Sequence, residues 1–439
     1  MIHIAIIGSG PSGCYTADYL AKKLDNAHID IFDQHPTPFG LVRNGVAPDH
    51  LVTKNIVHQL EKAFTHPNVR FVGGVRIQNI VAKHDQCASI TTATLEKHYD
   101  IIVLATGATN DRHLAIPGES LGNVFKSGEF AAWYNGDMTS RLHPNIGQQV
   151  AIIGHGNVAL DIARLLAKSR EQLLQSDMPA TIIDSFTQLN WPRDIFIIGR
   201  GGFANAHFTP AMLSEIINLP NVDCYRSEGP IPDSLPADVI SHIPKDQHRN
   251  RLKNLELLNQ IPTISNDPLN EMERTSAVSR ITFVFDRTPL ELKGDQTITS
   301  VRLSAHTHEG SSKKSDYDLP VDTLITAIGF DKTDDPLQFN QTPYAVGWCK
   351  NGAKGVIQSN RVDAVSVARE IISAVQQSVP SDKLGYRGIK ECISEQNTLT
   401  TSFNDWLTLD QHEKDAAKGS KPREKLITYA ELCDLLISP

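Results

Sequence analysis

At 439 residues the chain exceeds what one hydrophobic core ordinarily organises, so two or three domains are expected. Its 40% hydrophobic and 21% charged residues describe a soluble globular chain, and a formal net charge of -8 argues against a broad nucleic-acid surface while leaving room for a local basic patch. Six scattered cysteines without a CxxC pair exclude a redox dithiol or an iron–sulfur or zinc cage written in sequence, and buried structural thiols are the expectation. No run approaches the roughly 18 apolar residues of a membrane span. The chain opens directly into a strand without a charged leader, which makes a reducing, cytoplasmic compartment the default.

The first predicted element is that strand, Ile2 to Ile7, followed by Gly8-Ser-Gly-Pro-Ser-Gly13 and a helix from Cys14 to Leu24. A continuous apolar run suits a parallel strand covered on both faces, and the switch to helical periodicity marks a βα unit. In the turn, Gly8 permits the tight bend and Gly10 admits a pyrophosphate. Gly13 lets the helix pack closely on the strand, while the helix N-terminus offers amide donors. The next strand, His28 to Asp33, ends in an acid 20 residues after Gly13, where a carboxylate can accept both ribose hydroxyls of an adenosine. Tyr99 to Ala108 reads as another buried strand closing in a glycine turn.

The opening motif is then echoed. Val150-Ala-Ile-Ile-Gly-His-Gly-Asn-Val-Ala159 repeats strand and turn, with Ala159 at the third glycine position and a helix from Asn157 to Lys168. The following strand, Ile195 to Gly199, ends in Arg200 instead of an acid. A guanidinium suits a 2′-phosphate and leaves NAD without its carboxylate partner, so NADP is favoured over NAD; the alternative is a solvated arginine at a strand end. Glu228 to Asn266 is polar and proline-studded, helical in its middle. Arg280 to Leu303 alternates as a hairpin turning at Lys293-Gly-Asp295. Asp322 to Phe330 is the counterpart of the Tyr99 strand, and Lys414 to Lys425 reads as a charged surface segment before a last short helix. The expected fold is α/β, with two Rossmann-like dinucleotide-binding domains. The NADP domain (107–326) is inserted into a discontinuous FAD domain (1–106 and 327–439). Two dinucleotide units imply a relay, because nicotinamide delivers two electrons together while a flavin stores both and releases them singly.

Beyond the glycine turns, five stretches follow one another in order. They are Pro38-Phe-Gly-Leu-Val-Arg-Asn-Gly-Val-Ala-Pro-Asp-His50, Gly154-His-Gly-Asn-Val-Ala-Leu-Asp161, Asp286-Arg-Thr-Pro-Leu-Glu291, Gly347-Trp-Cys-Lys-Asn-Gly-Ala-Lys-Gly-Val-Ile357, and Trp406 with Lys421-Pro-Arg-Glu-Lys-Leu426. Together they resemble the adrenodoxin-reductase-like ferredoxin–NADP reductases. The resemblance implies a flavin site of Ser12, Asp33, Leu41, Ile77, Trp348, Gly355, Val356 and Ile357 around the Gly8-Gly10-Gly13 turn. It also implies an NADP site at His155, Gly156, Asn157 and Val158 with Arg200, and a functional pair in His50 and Asp161. For His50 the alternative is a loop cap. Two departures stand out. The family's paired arginines are Arg200-Gly201 here, and losing one charge-assisted contact costs on the order of 1.5–3 kcal/mol, which should blunt the preference for NADP over NAD. The family's glutamate near the nicotinamide is Met212, with Glu215 one helical turn on as a substitute. The implied partner is an acidic ferredoxin-type iron–sulfur protein, docked by Lys245, His248, Arg249, Arg251 and Lys253; the alternative is a solvated helix face. Two rival functions stay open, a flavin reductase or oxidase acting on a small molecule such as a quinone, and a non-catalytic nucleotide-binding regulatory protein.

Overall fold

The computed structural model describes the chain except residues 81–85, 109, 188–192, 228, 265–278, 306–315, 332–335, 354–356, 377–381 and 438–439. It is an α/β protein built on two parallel sheets. The first begins with β1 (Ile2–Ile7), whose buried apolar run is followed by α1 (Pro11–Ala21) and β2 (Ala27–Asp33). β3 (Val69–Gly73) and β4 (Ile101–Leu104) follow.

The second sheet then takes over without interruption. Its strands are β5 (Val124–Lys126), β6 (Gln149–Ile153), β7 (Asp194–Ile198), β8 (Val222–Ser227), β9 (Thr263–Ile264) and β10 (Ser279–Val284). Helix α2 (Asn157–Ala167) follows β6, α3 (Pro210–Ile217) follows β7, and α4 (Lys245–Asn259) precedes β9. An antiparallel layer of β11 (Arg287–Gly294), β12 (Ile298–Ala305) and β13 (Tyr317–Pro320) interrupts before β14 (Thr323–Thr326) rejoins the second sheet. The chain returns to the first sheet with β15 (Tyr344–Ala345), and α5 (Ile357–Gln376) then covers α1. The strand orders are β15-β4-β1-β2-β3 and β9-β8-β10-β7-β6-β14-β5.

Both sheets are parallel throughout, and β1, β6 and β7 at their centres carry the apolar stretches 4–7, 150–153 and 195–198 that burial on both faces requires. Ile4, Ile6, Ile29 and Ile31 belong to one core cluster, and Val150, Ile152, Ile195 and Ile197 to another. Two expectations need correction. The hairpin starts at Arg287, not Arg280, because Arg280–Val284 is β10, paired in parallel with β7 and β8. Its alternating polar residues mimic a one-faced strand, although Thr282 is buried and Arg280 holds Asp194 through a 2.6 Å hydrogen bond.

The charged segment before the last helix is a surface segment only in part: Lys414, Asp415, Lys418, Gly419 and Ser420 are exposed, but its later lysines are not. Glu413 is fully buried and Lys421 and Lys425 nearly so. Arg43 forks onto Glu413 at 3.0 and 2.5 Å, and Arg423 reaches the same carboxylate at 3.1 Å. Lys425 lies 3.2 Å from Asp177, which Lys54 also holds at 2.8 Å, and Lys421 donates to the Met178 carbonyl at 2.7 Å. Glu413, Lys421 and Lys425 form a buried charged clasp from the loop around Arg43 to the second sheet's side. Among the described residues no helix is long and apolar enough to cross a membrane. Cys14 and Cys87 are buried, while Cys392 is exposed.

Candidate functional site

The two glycine turns are built alike. Gly8 has φ +110°, and a Cβ there would stand 2.3 Å from the Ala105 carbonyl oxygen at the end of β4. Gly154 has φ +133°, and its Cβ would stand 2.2 Å from the Ala327 carbonyl oxygen at the end of β14. Each unit thus needs glycine where its crossover strand presses on the turn. Gly10 and Gly156, by contrast, face open space, and each is the N-cap of an 11-residue helix whose first turn has no side-chain cap. Open backbone beside uncapped amide groups is the cradle a dinucleotide pyrophosphate requires, and both turns fit one.

Three sequence segments converge on the first turn. Phe39 donates its N–H to the Ser9 carbonyl at 3.1 Å, and a Cβ on Gly40 would stand 3.2 Å from Gly10 Cα. Leu41 follows with its side chain exposed. From the far end of the chain, Gly347 presses so closely on Ser12 that a Cβ would meet its Oγ at 2.0 Å. That contact places Trp348, whose indole Nε1 is buried without a hydrogen-bond partner among the described residues, beside the turn. Ile77 is buried in a two-stranded pair, Val75–Gln78 with Ala88–Thr91, and Ile357 opens α5. Gly355 and Val356 lie outside the described residues.

Asp33 is more constrained than its position suggested. Its Oδ2 accepts from Ser9 N at 2.8 Å and Ser9 Oγ at 2.5 Å, while Oδ1 accepts from His35 N at 3.0 Å and faces His35 Nδ1 at 3.1 Å. All four acceptor directions are engaged within the protein, so a ribose would compete with the Ser9 hydroxyl. His35 also reaches Asp137 through Nε2 at 3.1 Å. Burial opposes charge on this imidazole, but Asp137 and Asp33 outweigh it and hold the proton well above the ordinary histidine range. Burial likewise opposes charge on Asp137, yet His35 and Thr139 bring that carboxyl down to about 2.

The signs fix a window. A raised histidine contributes stability below its unfolded pKa and loses it as pH rises through the folded value; a depressed carboxyl contributes above its unfolded pKa and loses it on acidification. His35→Gln should therefore lower urea stability of the FAD-saturated protein by about 1.5–3 kcal/mol between roughly pH 4 and 6.5. The gap should narrow on either side, and one that widens above neutrality would contradict the assignment.

In the second unit His155 does not present its ring to a phosphate. Nε2 faces the Ile197 carbonyl at 3.1 Å, and the ring packs 4.4 Å from that of Phe285. Burial lowers its pKa to about 4, leaving it neutral. A Cβ on Gly199 would collide with this ring at 2.3 Å. The exposed surface of the turn is Asn157 and Val158, with Asn157 Oδ1 accepting from Thr209 N at 2.8 Å. Arg200 is exposed beyond β7. Gly201 has a steric reason to be glycine, since its Cβ would stand 2.7 Å from Asn205 Cβ.

The units meet at His50. Its ring makes no capping bond to the helix it precedes, so the loop-cap alternative does not describe it. Instead Nδ1 lies 3.5 Å from Asp161 on α2, and Nε2 lies 3.3 Å from Glu215 on α3. Met212, one turn before Glu215, packs against the core. Arg164, fully buried, orders these acids. It forks onto Asp49 at 2.8 and 2.7 Å and stands 2.8 Å from Asp161 and 3.4 Å from Glu215. Burial raises the Asp161 pKa, with Arg164 and His50 pulling the other way.

Arg164 and Asp49 escaped sequence reasoning, though each had a signal. Arg164 sits three residues after Asp161 on one helix face, and Asp49 adjoins His50. On α4, Lys245, Arg249 and Lys253 are exposed, but Arg251 is 6% exposed and cannot belong to a docking face. Its place on an amphipathic helix puts it on the core side with Asn254, Leu255 and Leu258.

Residues 2–191 match the family described as pyridine nucleotide-disulphide oxidoreductase. The mitochondrial NADPH:adrenodoxin oxidoreductase of Arabidopsis thaliana is 30% identical over 98% of this chain and 94% of its own, and that of Mus musculus 32% over 99% and 91%. Cindoxin reductase of Citrobacter braakii is 30% identical over 98% and 90%. The solved structure of Mycobacterium tuberculosis FprA in complex with NADPH superposes with a TM-score of 0.80 at 27% identity, covering 100% of both chains. Two open glycine turns, one on each parallel sheet, together with these relatives define an NADPH-dependent FAD oxidoreductase. Within that class the chain belongs to the NADPH:adrenodoxin oxidoreductase family.

Proposed function

We propose that the protein is a ferredoxin–NADP(+) reductase, passing electrons from NADPH through FAD to a ferredoxin-type iron–sulfur protein. The observation that carries this reading is the junction at His50, where the loop of the flavin unit meets both helices that follow the nicotinamide unit's strands. When bound, FAD takes up a hydride and returns its electrons singly. Gly10 and the α1 amides would hold its pyrophosphate, with Ser12, Leu41 and Trp348 beside it. Gly156, Asn157 and Val158 would hold that of NADPH.

Hydride transfer needs close and oriented rings more than an acid, so His50 serves the proton. His50 and Glu215, which lie 3.3 Å apart, would carry to solvent the proton that the reaction releases, since the Glu215 side chain is 41% exposed. Asp161 and Arg164 hold the ring in that orientation. The exposed cations Lys245, Arg249 and Lys253 favour an acidic partner through salt-sensitive association.

Stopped-flow absorbance should show NADPH reducing the bound flavin faster than NADH, and ferredoxin turnover falling as salt rises. Glu215→Gln should slow ferredoxin turnover on the order of tenfold and alter its pH profile, while flavin reduction by NADPH changes little. A flavin that neither nucleotide reduces would sink the enzyme reading. Turnover indifferent to partner and salt would point to a small-molecule acceptor. Equal loss in both half-reactions would remove the proton role of Glu215.

A further inference from the structure

We propose that Arg251, from helix α4, joins Arg200 in gripping the 2′-phosphate of NADPH and so replaces the arginine that position 201 does not carry. The proposal rests on reading β6, α2 and β7 as the NADPH unit. Packing supplies the first argument. Helix α4 lies against the Phe203–Asn205 turn that follows Arg200. Asn254 Nδ2 donates to the Phe208 carbonyl at 2.8 Å, which fixes the helix face on this loop. Arg251 is three residues earlier on that same buried face.

Charge supplies the second. The His207 imidazole is held below its ordinary range by burial, then by the field of Arg251 and, more weakly, that of Arg200, so both guanidinium groups act on one side chain. Among the acids, Asp286 borders the loop, its carboxyl oxygens against Gly202 and its N–H donating to the Gly201 carbonyl at 3.2 Å.

Arg251 is also without a partner among the described residues. It is 6% exposed, its Nη1 has no hydrogen-bond partner, and it makes no ion pair among the described residues. A buried N–H of a cation without an acceptor is unfavourable, while Nε and Nη2 are not buried in the same way, and a dianionic phosphate is the chemistry such a fork is shaped to meet. Asn205 blocks a side chain at position 201, so a second cation must approach from another element.

The test compares the FAD-loaded wild type with Arg251→Gln, Arg251→Lys and Arg200→Gln, using kcat/KM for NADPH and NADH and competitive inhibition by 2′-AMP and 5′-AMP. Arg251→Gln should lower the NADPH-over-NADH selectivity about tenfold and weaken 2′-AMP far more than 5′-AMP, with Arg251→Lys between. Equal losses for both nucleotides, or an unchanged selectivity in folded protein, overturn the proposal. Should Arg251→Gln fail to fold, the 2′-AMP to 5′-AMP ratio of Arg251→Lys decides: a fall supports Arg251 and no change excludes it. If Arg200→Gln erases selectivity while Arg251→Gln leaves it unchanged, Arg251 is excluded while the NADPH unit stands. If the wild type neither prefers NADPH nor binds 2′-AMP, the reading of the unit itself falls.

Discussion

Arg164→Met is expected to lower the unfolding free energy by about 3–5 kcal/mol, because it removes the one cation that three carboxylates share. Asp49 is nearly buried and carries its charge against burial, held far below the ordinary carboxylate range by Arg164 and Lys168. Without Arg164, Lys168 at 2.6 Å is its only remaining close cation among the described residues, and Asp161, already raised by burial, loses its main counter-charge. Protonation of Asp161 is the easiest relief, and it would free His50 from one of its two anchors. The variant should therefore lose turnover beyond what its lower stability explains. Urea titration and turnover, both measured where the variant is fully folded, separate the two effects. A stable protein with normal turnover would show that the acids are organised by something other than Arg164. Arg164→Lys tests geometry, since one ammonium cannot reproduce the fork onto Asp49.

Glu413→Ala should be comparably severe, about 3–5 kcal/mol, through Arg43 and Arg423 left facing each other without their shared carboxylate. Arg43 lies two residues from Leu41, so the loss should also loosen the loop over the first glycine turn and speed FAD release. Flavin fluorescence on dilution measures this. Glu413→Gln retains the shape and part of the hydrogen bonding and should fall between. A variant as stable as the wild type would reduce the buried clasp to a bystander.

The glycine turns and the echo between the Tyr99 and Asp322 strands were legible, because each is written within a few residues and obeys backbone sterics. What escaped was written across the chain. Arg43 and Glu413 are 370 positions apart, and Lys421 meets Met178 over 243. A local run of charges carries no mark of the counter-charges that will bury it, so Lys414 to Lys425 looked solvated. Arg251 illustrates the same point within one helix. Among five basic neighbours it sits on the side that Asn254 and Leu255 turn inward, which a count of charges overlooks and helical phase reveals. Glu215 was suggested by its spacing from Met212, and only the packing of α3 against α2 brings it to His50.

Protein synthesis runs from the N-terminus, and the strands of the seven-stranded sheet all lie between β5 and β14 in the chain. That sheet has all its strands as soon as β14 leaves the ribosome. The first glycine turn must wait longer. β15 on its sheet, Gly347 against Ser12, α5 over α1 and Glu413 beneath Arg43 are all translated afterwards. The first glycine turn thus stays unroofed until these later segments emerge, and capture of a dinucleotide there would belong to a late stage of biogenesis.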